Sequence, residues 1–214
     1  MEISLSGVVL REQCRATPSF SVFTEELGRL VVRDRSLRHG VRLQPGHGVH
    51  MVLLKQGGQW ILRDRQLLFV PDGDDSDTLF WHHHLLELYF YFVPLEQPQQ
   101  FLFAHLCQIL RAKQAPDAFW QLAVARFLAH LGYGVPTPLA GDIALFNQAL
   151  SPLTAIDGHL LREVTAVGAY QYHAPDREQW ITKALRSHPY AGLLKTTNFF
   201  ARLYPQSEVS TRLG

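Results

Sequence analysis

Apolar and polar positions change their period once along the chain, near residue 72. Before that point, short β-rich runs recur between glycine, proline and charged breakers. "GVVL" at 7–10, two runs inside "SFSVFTEELGRLVV" at 19–32, "GVHMVLL" at 48–54, "QWILR" at 59–63 and "QLLFV" at 66–70 each read as a strand. Strands this short at this spacing predict a small barrel or sandwich. Gly57 and Gly58 predict a hairpin turn between two of them, because residues without a Cβ take the positive φ values a tight turn demands.

After "PDGDDSD" at 71–77, too polar to bury, the period becomes helical. Leu79, Trp81, Leu85, Leu88, Tyr89 and Phe92 predict an almost wholly buried helix, capped by Ser76 or Asp77 and ended by Pro94. Its three consecutive histidines are expected in a partly exposed first turn. A second helix is predicted from Pro98, at a first-turn position, to Arg111, and a third from about Pro116 to a left-handed Gly132. "VPTPLAG" reads as a loop, weaker helices follow at 142–150, 158–167, 175–187 and 191–203, and the tail after Pro205 as frayed. The chain thus reads as α+β, with strands over 1–72 and a helical domain over 77–214.

Charge sharpens the division. Residues 1–70 carry ten Arg or Lys against six Asp or Glu, residues 71–100 carry six acids and no base, and the whole chain is nearly neutral at +1. The excess of cations therefore belongs to the strands. No window approaches the roughly 20 apolar residues of a membrane span, and "MEISLSGVVL" lacks the basic start of a signal peptide. Two cysteines, Cys14 and Cys107, fit a reduced cytoplasmic setting.

Eleven histidines invite a metal reading, which spacing argues against. On a helix His82, His83 and His84 fan out by about 100° per residue and cannot converge on one ion. His47 and His50 have no nearby carboxylate to complete a ligand set. No GxSxG, Walker loop, HExxH or GxGxxG is present, and Cys107 falls mid-helix on an apolar face. We expect no catalytic residues, no metal and no cofactor. A small metal-dependent nuclease would need a carboxylate cluster near the cations; "PDGDDSD" reads better as a linker.

Four stretches, in order, resemble the bacterial DNA repair protein family RecO. They are Val8 to Leu10 with the "VFTEELGR" hairpin from Val22 to Arg29, the "LLEL" helix from Leu85 to Leu88, and "HLGYGVP" through Leu131 to Tyr133, followed by the C-terminal "LLKTTNFFARLYP". The resemblance spans nearly the whole chain. It implies an N-terminal OB-fold barrel at 1–72, an all-α domain at 77–214, and a non-enzymatic, monomeric, cytoplasmic recombination mediator that joins the nucleoid during repair. Such a protein binds single- and double-stranded DNA, anneals complementary strands, works with RecR to load RecA, and docks the C-terminal tail of single-stranded DNA-binding protein.

For DNA the barrel offers Arg11, Arg15, Arg29, Arg33, Arg35, Arg38, Arg42 and Lys55, the charge concentrated in "RLVVRDRSLRHGVR". For the tail, the resemblance implies a pocket between the second and third helices. Its walls would be Leu106, Ile109, Leu131 and Val135, with Arg111, Lys113 and Arg126 at the rim. Three departures stand out. Gln121 and Leu122 occupy positions where related proteins carry arginines, with Arg126 one turn on as the substitute, and the zinc-binding cysteines of many members are missing. The basic segment after the hairpin is also reduced to "RDRSLRHG". The rival expectation is a degenerate relative that scaffolds protein partners and has little DNA affinity.

Overall fold

The computed structural model describes residues 1–14, 18–34, 42–71, 75–112, 115–150 and 174–196. Five strands come first: β1 (Glu2–Cys14), β2 (Ser19–Thr24), β3 (Gly28–Asp34), β4 (Gly48–Gln56) and β5 (Gln59–Phe69). Five helices follow among the described residues: α1 (Ser76–Phe92), α2 (Gln100–Leu110), α3 (Asp117–His130), α4 (Thr137–Leu150) and α5 (Ala174–Ser187), then a 3₁₀ turn at Ala191–Leu193. The class is α+β. Arg15, Arg35, Arg38, Lys113, the helix expected at 158–167, most of the one expected at 191–203 and the tail lie outside the described residues.

Every strand has two hydrogen-bonded neighbours, in the order β1-β2-β3-β5-β4 returning to β1. Long β1 makes this possible, pairing β4 through residues 2–8 and β2 through residues 7–14. Register shifts after Val9 and Glu12 bend it between the two partners. All pairings are antiparallel except β3 with β5, which is parallel over three residues, Val32 to Asp34. Alternate side chains, including Val9, Val22, Leu30, Val32, Met51 and Leu62, point inward and form one buried cluster.

"QWILR" and "QLLFV" are not separate strands but parts of β5. A shift in the β4 pairing between Val52 and Leu53 reverses the in-out phase of β5 beyond Leu62. Arg65 consequently lies opposite buried Met51 and bonds Asp34, both carboxylate and guanidinium being largely buried. The Gly57–Gly58 turn forms as expected, with φ of 57° and 76°.

Helix α1 is capped by Asp75, not by Ser76 or Asp77: its side chain accepts from the Asp77 and Thr78 N–H groups. With the start fixed there, the histidines fall in the second and third turns. His82 and His84 are buried and only His83 is exposed, contrary to the expected partly exposed first turn. Pro98 lies outside α2, whose N-cap is Gln99. Helix α4 takes in Thr137 and Pro138, read from sequence as loop; a proline in the first turn lacks only an N–H that has no intrahelical partner.

The chain divides into two compact units, the first ending at Gln114 and the second beginning at Ala115. The first therefore joins the sheet to α1 and α2. There Phe23 of β2 meets Tyr89 of α1 at 5.5 Å and Phe103 of α2 at 5.9 Å between ring centres. The Tyr89 hydroxyl donates to the Leu102 carbonyl at 3.1 Å and lies 2.8 Å from His105 Nδ1. In the second unit α3 is buried from Phe119 to Leu128. Phe119 meets Phe146 of α4 edge to face, with ring centres 5.2 Å apart.

Candidate nucleic-acid interface

The sheet sorts its cations into two groups. Arg11 and Arg29 are half-buried and serve α1. The Arg11 guanidinium lies 5.0 Å and that of Arg29 5.2 Å from the Phe90 ring centre, Arg11 donates to the Tyr91 hydroxyl, and Arg29 Nε donates to the Val93 carbonyl, each at 2.9 Å. Arg42 is exposed and paired with Glu12 at 3.2 Å, a surface contact that holds little energy.

Arg33, Lys55 and Arg63 form the second group. All three are exposed, and they come from the adjacent strands β3, β4 and β5. Lys55 pairs with Trp60 across the β4–β5 hairpin, its ammonium 4.8 Å from the indole centre. Arg33 pairs with Ile61, two residues before Arg63. Sequence reasoning missed Arg63. Its signal was the alternation in "QWILR", where buried Leu62 on the inner face leaves Arg63 for the outer one.

Beside these cations runs a groove of about 460 Å³ lined by Val31, Arg33, Gly58, Gln59, Trp60, Leu95 and Glu96. Val31 and Leu95 expose 39% and 50% of their surface, which is enough for an apolar ligand to contact both. The segment carrying Leu95 is bound to the start of β3: Leu95 bridges Arg29, and the Glu96 N–H donates to the Arg29 carbonyl at 2.9 Å. Gly28, at φ 72°, permits this approach, since a Cβ there would overlap the Gln97 carbonyl.

The residues expected to form a tail pocket fall in different units. Leu106 and Ile109 of α2 are buried in the first, where Arg111 ends the helix, exposed, with its guanidinium 4.6 Å from the Phe69 ring centre. Arg126, buried on α3, belongs to the second, as do half-buried Leu131 and Val135. Gln121 has a structural role of its own. Its amide oxygen accepts from Arg177 Nε at 2.9 Å and Nη2 at 2.7 Å, and its nitrogen donates to Glu178 at 2.9 Å, tying α3 to α5.

Burial shifts the titration of three further groups. It holds the His84 imidazole down at about 3 and lowers His47. Burial, with Glu25 adding to it and Arg111 opposing, pushes the Cys107 thiol up to about 11, so it is a poor nucleophile. Among the described residues no three His, Cys, Asp or Glu side chains are grouped to hold a metal ion, and no helix is long and apolar enough to cross a membrane. No family model matches the chain, and no curated protein matches it.

Proposed function

We propose that this chain is a RecO-like recombination mediator without enzymatic activity. It binds single- and double-stranded DNA through an OB-type barrel, anneals complementary strands and, with RecR, helps load RecA onto DNA coated by single-stranded DNA-binding protein, in the cytoplasm at the nucleoid. The observation that carries this reading is the strand circuit β1-β2-β3-β5-β4 with exposed cations on three neighbouring strands. OB barrels are five-stranded Greek-key sheets that bind oligonucleotides on the strand 2–3 face and at the loop joining strands 4 and 5. Arg33 is on β3 and Lys55 flanks the β4–β5 turn, so phosphates running from that face to that turn would meet both.

A second reading, a protein-binding scaffold with little DNA affinity, is favoured by the use of Arg11 and Arg29 to hold α1. Annealing of complementary oligonucleotides precoated with single-stranded DNA-binding protein separates the two. The mediator accelerates annealing, with or without a chelator. A folded sample that leaves the rate unchanged overturns the mediator and leaves the scaffold.

A further inference from the structure

The groove beside β3 has a polarity that phosphate binding does not require. Arg33 and Glu96 line it together with the exposed apolar side chains of Val31 and Leu95. A site that only tracked a DNA backbone would gain nothing from the carboxylate, which repels phosphate. Yet Glu96 is held there at a cost: with φ at 53° it is the one non-glycine residue of positive φ among the described residues. Its N–H bond to the Arg29 carbonyl and the Arg29 bond to the Val93 carbonyl secure that conformation. Among the described residues neither the Glu96 carboxylate nor the Arg33 guanidinium has an ion-pair partner, although both residues line the same groove.

A ligand that satisfies all four side chains carries an anion, a flat apolar body and a hydrogen-bond donor edge. We propose that the groove holds one unstacked nucleotide of a bound DNA strand. Its phosphate meets Arg33, its base lies against Val31 and Leu95, and its donor edge meets Glu96. This inference rests on the DNA-binding reading above and adds a base preference to it. The groove's 460 Å³ falls within the usual range for small-ligand sites.

The preference follows from what a carboxylate can do. Ionised, it only accepts hydrogen bonds. Guanine offers two adjacent donors on its pairing edge and is bound best. Cytosine and adenine each offer an amino group. Thymine sets its one N–H between two carbonyls that repel the carboxylate, and is bound least well. A strand-annealing protein with such a pocket would enter single strands preferentially where guanine is unpaired.

Fluorescence anisotropy tests this with two labelled single strands of equal length, oligo(dT) and oligo(dT) with widely spaced guanines. The intact protein is expected to bind the guanine-bearing strand about tenfold more tightly, the lower part of the range for a good two-point base contact. In Glu96→Gln the difference should collapse, because an amide can also donate to thymine, and oligo(dT) affinity should rise while the salt dependence stays the same. Equal, salt-sensitive affinity of the intact protein for both strands overturns the base pocket and leaves DNA binding standing. No salt-sensitive affinity for either strand overturns both.

Discussion

The Arg11 guanidinium lies 5.0 Å from the centre of the Phe90 ring, so a cation of β1 is used to seat α1 on the sheet. Arg29 approaches the same ring at 5.2 Å. Two residues that a count of charges assigns to a nucleic-acid surface therefore act inside the first unit.

Replacing Arg11 by Ala should lower stability by about 1–2 kcal/mol, the loss of one partly desolvated cation–π contact and one hydrogen bond. Urea unfolding would measure it. Arg33→Glu should do the opposite, leaving the urea midpoint nearly unchanged and weakening DNA binding. Equal stability losses for the two variants would contradict the division of the cations.

The Gln121 contacts give a second test. Gln121→Leu removes the oxygen that Arg177 meets with two N–H groups inside the second unit. Leaving part of a buried guanidinium unsatisfied costs about 2–4 kcal/mol. A calorimetric melting temperature within error of the unaltered protein would show that the network is dispensable.

His84 makes the fold acid-sensitive. Its folded-state pKa is about 3 because burial opposes the charge, against 6.5 for the free group. Above 6.5 both states are neutral and the group contributes no pH dependence. As pH falls from 6.5 towards 3 the unfolded chain binds a proton that the folded one refuses, so stability drops by up to about 1.4 kcal/mol per pH unit. Between about pH 7 and about pH 5 the urea midpoint should fall for the intact protein and fall less for His84→Gln. A midpoint equally pH-dependent in both would remove His84 as the cause.

Much of this architecture could be read from local chemistry, and its failures have physical causes. Glycine pairs and charged breakers placed the β-runs and the Gly57–Gly58 turn because those signals act over a few residues. The division of β5 into two strands was an error of phase: the register shift opposite Val52 and Leu53 imitates a chain break in the apolar pattern. The cap was set one or two residues too late because Asp75, Ser76 and Asp77 are all competent caps and only the fold selects Asp75. The duties of Arg11 and Arg29 were hidden because Phe90, which occupies them, is far along the chain. The groove was hidden for the same reason, since Leu95 and Glu96 reach β3 only through tertiary contacts.

Cys107 should resist alkylation. With its thiol raised to about 11, iodoacetamide labelling followed by peptide mass spectrometry should show slow modification near neutral pH in the folded protein and rapid modification in urea. Fast labelling without denaturant would contradict the raised thiol.

The central claim is that the exposed cations Arg33, Lys55 and Arg63, carried by neighbouring strands, bind the phosphates of DNA. The most direct test is the salt dependence of single-stranded DNA affinity for the intact protein and for the variant with all three residues changed to Glu. Each lost phosphate contact should reduce the slope of log affinity against log salt by about 0.7 on single strands. The account predicts a slope lower by about 2 units in the triple variant, together with weaker binding. An identical slope in the two proteins would contradict it.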